Sequence, residues 1–539
     1  MKHLSILLLL AAAIGATSAP VLGQTVWFKY VGNPVLSCGP SGTWDNTMVY
    51  PNRVIFQDTI YRMWYTGGDG SHSRTGLATS LNGADWTKSA QNPVLSEGPP
   101  GSWDAGASYE GYVAQVDSGY RMWYTGGDGF GNWKLGYASS PDGIVWEKAN
   151  GANPVIGTGS WYAKGPHNPS VLGPDSLGGY KMWFQGNPMG HEDVQVGYAT
   201  ATNETTWTVR ADPVFSFGTP GSWDDDKVMD PKVLYDGQRY EMWYAGEELD
   251  GVTEVGYATS LDGLSWTRYA SNPVMGRGPS YWDLADLYCL DVFFDGGMYH
   301  MWYGGRLPST VILPIQGVGY AVSPKGMAVS VSPQSLNVGD SVWVRARVDS
   351  LAGLSFSAEI EYPDGNLIAL IELYDDGMHG DSLAGDGIFA NNWFPTEVHT
   401  YFVDLKLHRN TLTFEMNNAA TIDVITDVPE EPTLPKSFYL GQNYPNPFNP
   451  ATVIQYTVAA PSGGLSLSKA GVEGRNVSHQ VRLSVYDLLG REVAVLVNEE
   501  MKPGTYETSW DAAGFPGGVY FYRLQAGNFS ETRKLVLIR

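Results

Sequence analysis

The sequence predicts an all-β protein built from repeated four-stranded units and two further strand-rich domains. A segment with the pattern Tyr-x-Met-Trp-Tyr, or Tyr-x-Met-Trp-Phe, occurs five times with a period of about 60 residues, which is typical of a repeat architecture. The 65 glycines and 33 prolines indicate many turns between short strands. Beyond residue 324 the repeat gives way to segments in which apolar and polar residues alternate, as they do in half-buried strands.

Each repeat divides into four predicted strands. A Trp-Asp pair, or a variant of it, precedes an inner strand, and the Met-Trp-Tyr strand follows. A third strand, such as residues 255–260, leads through an Asp-Gly turn into a fourth strand, such as residues 266–275. Four strands with short turns and no helix make one propeller blade, so the five copies predict a five-bladed β-propeller over residues 24–325. The tryptophans of the second strands are Trp64, Trp123, Trp183, Trp243 and Trp302.

The fifth repeat lacks a fourth strand after Ser323. The N-terminal segment can supply one, because Trp27 precedes Asn33 by the same interval that separates Trp86 from Asn92. We therefore expect the N-terminal strand to complete the last blade. A propeller closed in this way has no exposed sheet edge at the junction of its two ends.

Composition and charge restrict the partners and the location of the protein. The 56 acidic and 33 basic residues give a formal net charge of −23, which argues against nucleic acids and anionic membranes as partners. Residues 1–23 have the features of a signal peptide, with a basic start at Lys2, a short apolar run and small residues before Gln24. We expect an exported protein that has no transmembrane segment and is a monomer.

The Trp and Tyr residues of the repeat are interpreted as structural, because a residue present in every blade cannot mark one site. Function is sought where the copies differ, above all in the inner strands, which line the central channel of a propeller. The seventh residue after the opening Trp differs in every copy, in the order Pro51, Glu110, Asn168, Asp230 and Cys289. The polar deviations close to this position are Arg53, His167, Lys232, Glu247, Asp286 and Asp291.

The repeated motifs resemble those of a known superfamily. The motifs are Asp/Asn-Pro-x-Val, Tyr-x-Met-Trp-Tyr-x-Gly and Gly-Tyr-Ala-x-Ser-x-Asp-Gly-x-x-Trp. They resemble those of the arabinanase, levansucrase and invertase superfamily, which includes glycoside hydrolase families 43, 32 and 130. The resemblance implies that carboxylates from different blades converge at the channel mouth, one as general acid and one as base or nucleophile. The catalytic candidates are Glu110, Asp230 and Asp286. The candidates for sugar binding are Arg53, His167, Asn168, Lys232, Glu247 and Asp291.

Two functions stay open at this point. The first blade carries Pro51-Asn52 where families 43 and 32 usually have an Asp, which favours a non-catalytic glycan-binding or adhesive module. The acidic residues Glu110, Asp230 and Asp286 favour a glycoside hydrolase-like enzyme that acts on a polysaccharide or oligosaccharide. Because Glu110 and Asp230 belong to blades two and four, we expect them to face each other across the channel.

The chain after the repeats predicts a second domain. Alternating segments such as residues 341–348 and 400–407 suggest an immunoglobulin-like β-sandwich over residues 326–427. Its Asp- and Gly-rich loop at Asp375 to Asp386 offers oxygen ligands for calcium, but the turn preferences of Asp and Gly explain the loop without a metal. We expect no cofactor. Residues 428–436, rich in Pro and acid, are interpreted as a linker.

The last domain, residues 437–539, contains three motifs that are typical of a secretion signal. The motifs are Tyr-Leu-Gly-Gln-Asn-Tyr-Pro-Asn-Pro-Phe-Asn-Pro from Tyr439, Val-Tyr-Asp-Leu-Leu-Gly-Arg from Val485 and Gly-Val-Tyr-Phe-Tyr-Arg-Leu from Gly518. Together they resemble the C-terminal sorting domain of type IX secretion cargo. Such domains are also β-sandwiches, and a polar insertion at residues 462–478 is interpreted as a loop. The resemblance implies the type IX machinery as a partner and a secreted or surface-attached protein of a Gram-negative bacterium.

Overall fold

The computed structural model describes residues 26–189, 194–249, 251–278, 281–306, 317–349, 353–381, 383–425, 438–443, 446, 448–459, 478–527 and 529–538. The signal peptide, the linker and nearly all of the insertion predicted from the sequence lie outside these residues. Within them, the regular structure is β-strand apart from one 3-10 turn, Tyr281–Asp283, so the all-β prediction is confirmed. The chain divides into two compact units, Met1–Thr426 and Asp427–Arg539.

Five repeat units of antiparallel strands make up the first part of the chain, and each unit begins with an inner strand. Two N-terminal strands precede them, β1 (Phe28–Tyr30) and β2 (Leu36–Ser37). Units 1 and 2 consist of β3 (Met48–Gln57), β4 (Ile60–Gly68), β5 (Ser73–Ser80), β6 (Thr87–Lys88), β7 (Ala107–Val116), β8 (Gly119–Gly127), β9 (Trp133–Ser140) and β10 (Glu147–Lys148). Units 3 and 4 consist of β11 (Gly165–Leu172), β12 (Tyr180–Asn187), β13 (Gln195–Ala201), β14 (Trp207–Val209), β15 (Lys227–Tyr235), β16 (Tyr240–Glu247), β17 (Thr253–Ser260) and β18 (Thr267–Arg268). Unit 5 contains β19 (Asp286–Phe294), β20 (Met298–Arg306) and β21 (Gly317–Pro324).

The fourth strands are shorter than the sequence suggests. In unit 4 the predicted strand over residues 266–275 is reduced to β18 and an isolated bridge between Val255 and Met275. Between β18 and this bridge, the side chain of Asn272 pairs with the backbone of the third strand. Its Oδ1 accepts the N–H of Tyr257 at 2.9 Å, and its Nδ2 donates to the carbonyl of Tyr257 at 3.0 Å. An Asn side chain thus satisfies the backbone groups that a strand residue would otherwise pair.

The N-terminal strand pairs with unit 5. Strand β1 is antiparallel to β21, with Phe28 opposite Val322, and β2 continues the pairing, with Leu36 opposite Val318. Lys29 adds an ion pair to the buried Asp283 at 2.8 Å. The two ends of the repeat region are therefore held together in one sheet.

Four of the five units contain the same buried ion pair. An Asp that follows the opening Trp accepts a hydrogen bond from the Tyr of the second strand and pairs with a Lys or Arg two residues after the Trp of the fourth strand. In unit 3 all three positions change together, to Tyr162, Phe184 and Val209, and the site becomes apolar. The four pairs are Asp45 with Lys88 at 2.6 Å, Asp104 with Lys148 at 2.6 Å, Asp224 with Arg268 at 2.7 Å and Asp283 with Lys29 at 2.8 Å.

Lys29→Met should destabilise the first compact unit by on the order of 3 kcal/mol, because it leaves the carboxylate of Asp283 buried without its cation. Chemical denaturation of the full chain measures the loss. The combination found in unit 3 supplies the control, since Lys29→Val with Asp283→Tyr and Tyr303→Phe should recover most of the stability. An unchanged denaturation midpoint for Lys29→Met would show that the pair does not hold the ends together.

Successive units are also joined by one repeated hydrogen bond. The indole N–H of the second-strand Trp donates to a carbonyl in the turn between the third and fourth strands of the next unit. The fifth unit makes this bond to the first, because Trp302 donates to Gly83 at 2.9 Å. The other bonds are Trp64 to Gly143, Trp123 to Glu204 and Trp183 to Gly263.

The second domain consists of two packed sheets. Its strands are β22 (Ala328–Ser332), β23 (Ser335–Asn337), β24 (Val342–Arg347), β25 (Leu354–Glu361), β26 (Leu367–Leu373), β27 (Ile388–Trp393), β28 (Thr400–Arg409) and β29 (Leu412–Ile425). One sheet has the order β22-β24-β27, and the other runs β29-β28-β25-β26. Alternate residues of β24 and β28, such as Val344 and Leu405, are fully buried, as the alternating pattern predicts.

This domain is joined to the repeats by strand pairing. Strand β29 pairs with the free edge of β1, with Tyr30 opposite Phe414, so that one sheet runs from unit 5 into the second domain. Arg409 strengthens the junction with an ion pair to Asp295 at 3.1 Å. The N-terminal strand is therefore covered on both edges, which the sequence did not predict.

The Asp- and Gly-rich loop of the second domain brings three carboxylates together. One oxygen each of Asp375, Asp381 and Asp386 lies within 4.8 Å of the others. The same side chains accept backbone N–H groups, for example that of Gly385 on Asp375 at 2.6 Å and that of Gly377 on Asp381 at 2.8 Å. Hydrogen bonds of this kind are those of Asp turns, which is the interpretation favoured from the sequence over a calcium site.

The second compact unit contains two sheets of its own. Its strands are β30 (Tyr439–Leu440), β31 (Ala451–Val458), β32 (His479–Tyr486), β33 (Glu492–Met501), β34 (Gly504–Asp511), β35 (Gly518–Ala526) and β36 (Phe529–Leu537). The sheets run β30-β31-β34 and β33-β32-β35-β36. They enclose a separate apolar core that includes Tyr456, Leu483, Trp510 and Tyr522.

Candidate functional site

The inner strands share an irregularity at the position where the repeats differ. Each inner strand shifts its register against the second strand at this point, between Tyr109 and Tyr112 in unit 2 and between Met229 and Lys232 in unit 4. Glu110, Asn168 and Asp230 occupy these bulges with φ values of 47°, 45° and 52°. A left-handed backbone is uncommon in residues other than glycine, and strain of this kind concentrates at functional sites.

Each left-handed residue is supported by the preceding unit. The N–H of Glu110 donates to Thr66 Oγ1 at 3.1 Å, and the N–H of Asp230 donates to Gln185 Oε1 at 3.4 Å. The equivalent bond in unit 3 joins the N–H of Asn168 to Thr125 Oγ1 at 3.1 Å. The three acceptors all stand two residues after the second-strand Trp, where units 4 and 5 carry Ala245 and Gly304.

Side chains from units 1 to 4 form two hydrogen-bonded groups at the bulges, which are joined through the adjacent residues His167 and Asn168 of unit 3, and we term the five residues together the bulge cluster. Glu110 accepts Tyr50 OH on Oε1 at 3.1 Å, and its Oε2 lies 3.0 Å from His167 Nδ1. Asn168 Nδ2 donates to Asp230 Oδ1 at 2.5 Å. The carboxylates of units 2 and 4 are thus bonded to two consecutive residues of unit 3. The cluster consists of Tyr50, Glu110, His167, Asn168 and Asp230.

Burial differs within the bulge cluster. His167, Asn168 and Asp230 are buried, whereas 13% of the Glu110 side chain remains exposed. The half-buried ring of Trp133 packs edge-on against His167, with 4.3 Å between ring centroids. The ring gives the His167 side of the cluster an apolar wall, next to a carboxylate that can exchange protons.

A second group of predicted residues lies two positions further along the inner strands. Asp291 Oδ1 is 3.3 Å from Arg53 NH1 and 3.8 Å from Lys232 Nζ, and its Oδ2 accepts the N–H of Val54 at 2.7 Å. The guanidinium of Arg53 also lies over the ring of Tyr112, 4.7 Å from its centroid. These contacts join the inner strands of units 1, 2, 4 and 5, and burial raises the pKa of the Tyr112 hydroxyl.

The remaining two candidates form a third group between units 4 and 5. Asp286 accepts Arg306 Nε on Oδ2 at 2.6 Å and the N–H of Thr253 on Oδ1 at 3.2 Å. The hydroxyl of Thr253 donates to Glu247 Oε2 at 3.3 Å, and Glu247 also pairs with Lys227. Both oxygens of Asp286 therefore have partners within the fold.

The structure thus distributes the nine candidate residues over three groups. Glu110 is hydrogen-bonded to His167 and Asp230 to Asn168, whereas the contacts of Asp286 and Glu247 are to other partners. Sequence reasoning missed Tyr50, because its position, one before Pro51, is Tyr in three of the five copies and so does not stand out. It also missed Thr66, Thr125 and Gln185, although variation within an otherwise repeated strand was a signal that could have found them.

Comparison with known proteins gives a match for the end of the chain and similarities for the repeats. A family model described as "Secretion system C-terminal sorting domain" matches residues 442–538. Two proteins of Mycobacterium tuberculosis, the uncharacterized proteins MT1551 and Rv1502, are each 28% identical to this chain over 242 residues, which is 42% of this chain and 76% of each relative.

Solved structures similar to this chain include carbohydrate-active proteins. A glycosyl hydrolase from Bacteroides ovatus has a TM-score of 0.44 at 17% identity and covers 55% of this chain and 92% of its own. A β-1,2-mannobiose phosphorylase from Listeria innocua has a TM-score of 0.45 at 11% identity and covers 55% of this chain and 96% of its own.

Among the residues that the structure describes, there is no helix with the length and apolarity that crossing a membrane requires. The family model lies within the second compact unit, Asp427–Arg539, and agrees with the type IX resemblance found in the sequence. An exported or cell-surface protein follows from it. Residues 442–538 of this chain therefore match a secretion system C-terminal sorting domain both by family model and by their sequence motifs.

Proposed function

We propose that the five repeat units form a five-bladed β-propeller that acts on carbohydrate as a glycoside hydrolase-like enzyme. The pairing of β1 with β21 and the bond from Trp302 to Gly83 support a ring, because both connect the end of the repeat region to its beginning. In this proposal the propeller spans residues 24–325, an immunoglobulin-like sandwich follows over residues 326–427, and residues 437–539 direct the protein to the surface of a Gram-negative cell.

The bulge cluster is the observation that carries the enzymatic proposal. Three consecutive units place Glu110, Asn168 and Asp230 in the same strained conformation, and each is held there by a side chain of the preceding unit. A fold maintains strain when the surroundings over-determine it, and that strain is often part of a mechanism. The sequence motifs of the repeats, which resemble those of carbohydrate-active propellers, give the substrate class.

The roles follow from the partners of the two carboxylates. Asp230 is buried and has one oxygen on the amide of Asn168, so we assign it as the general acid that protonates the leaving oxygen. Glu110 is more exposed and accepts hydrogen bonds on both oxygens, so we assign it as the base. Asp286 is assigned a structural role in this proposal, because Arg306 and Thr253 occupy its oxygens.

A second candidate function is a glycan-binding module without chemistry. It is supported by Pro51, because the first unit then has no carboxylate at this position of its inner strand. The close contact of Asp230 with Asn168 also supports it, since a structural carboxylate would make the same contact. The two candidates differ in the release of sugar and not in binding.

Screening the full chain against a panel of neutral and acidic polysaccharides separates the two functions. The enzymatic proposal predicts that at least one glycan both binds and releases new reducing ends. Binding without release would establish the binding module in place of the enzyme. Neither binding nor release across the panel would contradict both functions.

A further inference from the structure

His167 has a hydrogen-bond arrangement that the roles above leave unexplained. Its side chain is buried, with a relative exposure of 9%, and its Nδ1 lies 3.0 Å from Glu110 Oε2. Its other ring nitrogen, Nε2, is also buried and has no hydrogen-bond partner among the described residues. The ring of Trp133 packs against the imidazole.

The missing partner on Nε2 restricts the protonation state of the imidazole. A protonated imidazolium would place an N–H donor on Nε2, which has no acceptor among the described residues, and a buried N–H without an acceptor is unfavourable. The neutral tautomer with its proton on Nε2 would carry the same unsatisfied donor and would remove the donor that faces Glu110. The neutral tautomer with its proton on Nδ1 avoids both problems, since Nδ1–H donates to Glu110 Oε2 and Nε2 carries only a lone pair.

The position of Glu110 is then fixed by three groups from the two neighbouring units. Tyr50 of unit 1 donates to Oε1, His167 of unit 3 faces Oε2, and Thr66 of unit 1 holds the backbone N–H. Each oxygen of a carboxylate can accept more than one hydrogen bond, so both oxygens retain acceptor capacity. Glu110 therefore keeps the means to take a proton while its geometry is set by buried neighbours.

We propose that His167 is a positioning residue, held neutral with its proton on Nδ1, that fixes Glu110 as an acceptor-only carboxylate. This inference rests on the proposed function for its catalytic meaning, whereas the protonation state of His167 can be measured without it. In the proposed reaction a water oxygen bonds to the anomeric carbon as the bond to the leaving oxygen breaks. Glu110 takes the proton of the water, Asp230 gives its proton to the leaving oxygen, and solvent restores both groups.

The first test is the nitrogen NMR spectrum of the full chain labelled with ¹⁵N-histidine at pH 7. His167→Asn identifies the signals of His167 among the nine histidines. The proposal predicts the neutral Nδ1–H tautomer in the unmodified protein and loss of that preference in Glu110→Ala. An imidazolium or an Nε2–H tautomer in the unmodified protein would overturn the proposal, whether or not the protein is an enzyme.

The second test is kinetic and uses two substitutions at the same position. In His167→Asn the amide nitrogen can take the place of Nδ1 and donate to Glu110, whereas His167→Leu removes the donor. On the glycan that the panel selects, the Leu variant should lose about 100-fold in kcat with little change in KM, and the Asn variant should retain activity to within about 10-fold. Equal losses in both variants, or a loss confined to KM, would contradict a positioning role. If the unmodified protein releases no sugar, the proposed function fails and the NMR result alone decides the state of His167.

Discussion

Asp230→Asn should lower the release of sugar by at least about 100-fold while glycan binding changes by no more than a few-fold. The substitution removes the transferable proton and little else. The amide oxygen can still accept the hydrogen bond from Asn168 Nδ2, and Asn adopts the left-handed conformation readily, as Asn168 does at the equivalent position of unit 3. The fold should therefore survive, and the effect should fall on turnover.

Initial rates of reducing-end release, together with titration calorimetry on the same glycan, measure the two quantities. Asp117→Asn is the matched control, since Asp117 is exposed in a turn of unit 2 and the substitution makes the same chemical change away from the bulge cluster. We expect the control to retain full activity. Retention of turnover in Asp230→Asn would remove Asp230 from the mechanism.

Deletion of residues 437–539 should abolish surface display and leave the protein in the periplasm of a host that has a type IX system. The deleted segment contains the match to the sorting family, and it forms a compact unit with its own apolar core. Fractionation of the cells followed by immunodetection measures the location. The truncated protein should keep its denaturation midpoint for the first unit, because the core it loses is separate. Normal surface display of the truncated protein would refute the sorting role.

Much of the fold can be predicted from the sequence because the same local pattern of residues occurs five times. The Met-Trp-Tyr strands are buried as expected, with Trp64 and the tryptophans equivalent to it fully enclosed. The second partner of the N-terminal strand could not be predicted. The pairing of Tyr30 with Phe414 joins residues far apart in the chain, and an alternating pattern indicates a strand but does not identify its neighbours.

The candidate site could be predicted in part because the repeats also show where the copies differ. Glu110, Asn168 and Asp230 stand out because their copies differ, and the structure places all three in one strained position. The distribution of the other candidates could not be read from the sequence. Asp286 is as acidic and as singular as Asp230, but its ion pair with Arg306 depends on the pairing of β19 with β20, which only the register of the sheet reveals.

The location of a bound glycan tests the central claim most directly. The crystal structure of the Asp230→Asn protein with the glycan that binds best should show a glycosidic oxygen within about 3 Å of the substituted side chain, which is hydrogen-bond distance. The carboxylate of Glu110 should face the anomeric carbon of the same linkage, and His167 should make no contact with the sugar. A glycan bound on the outer strands of the repeats, with the bulge cluster unchanged, would contradict the assignment of this cluster as the active site.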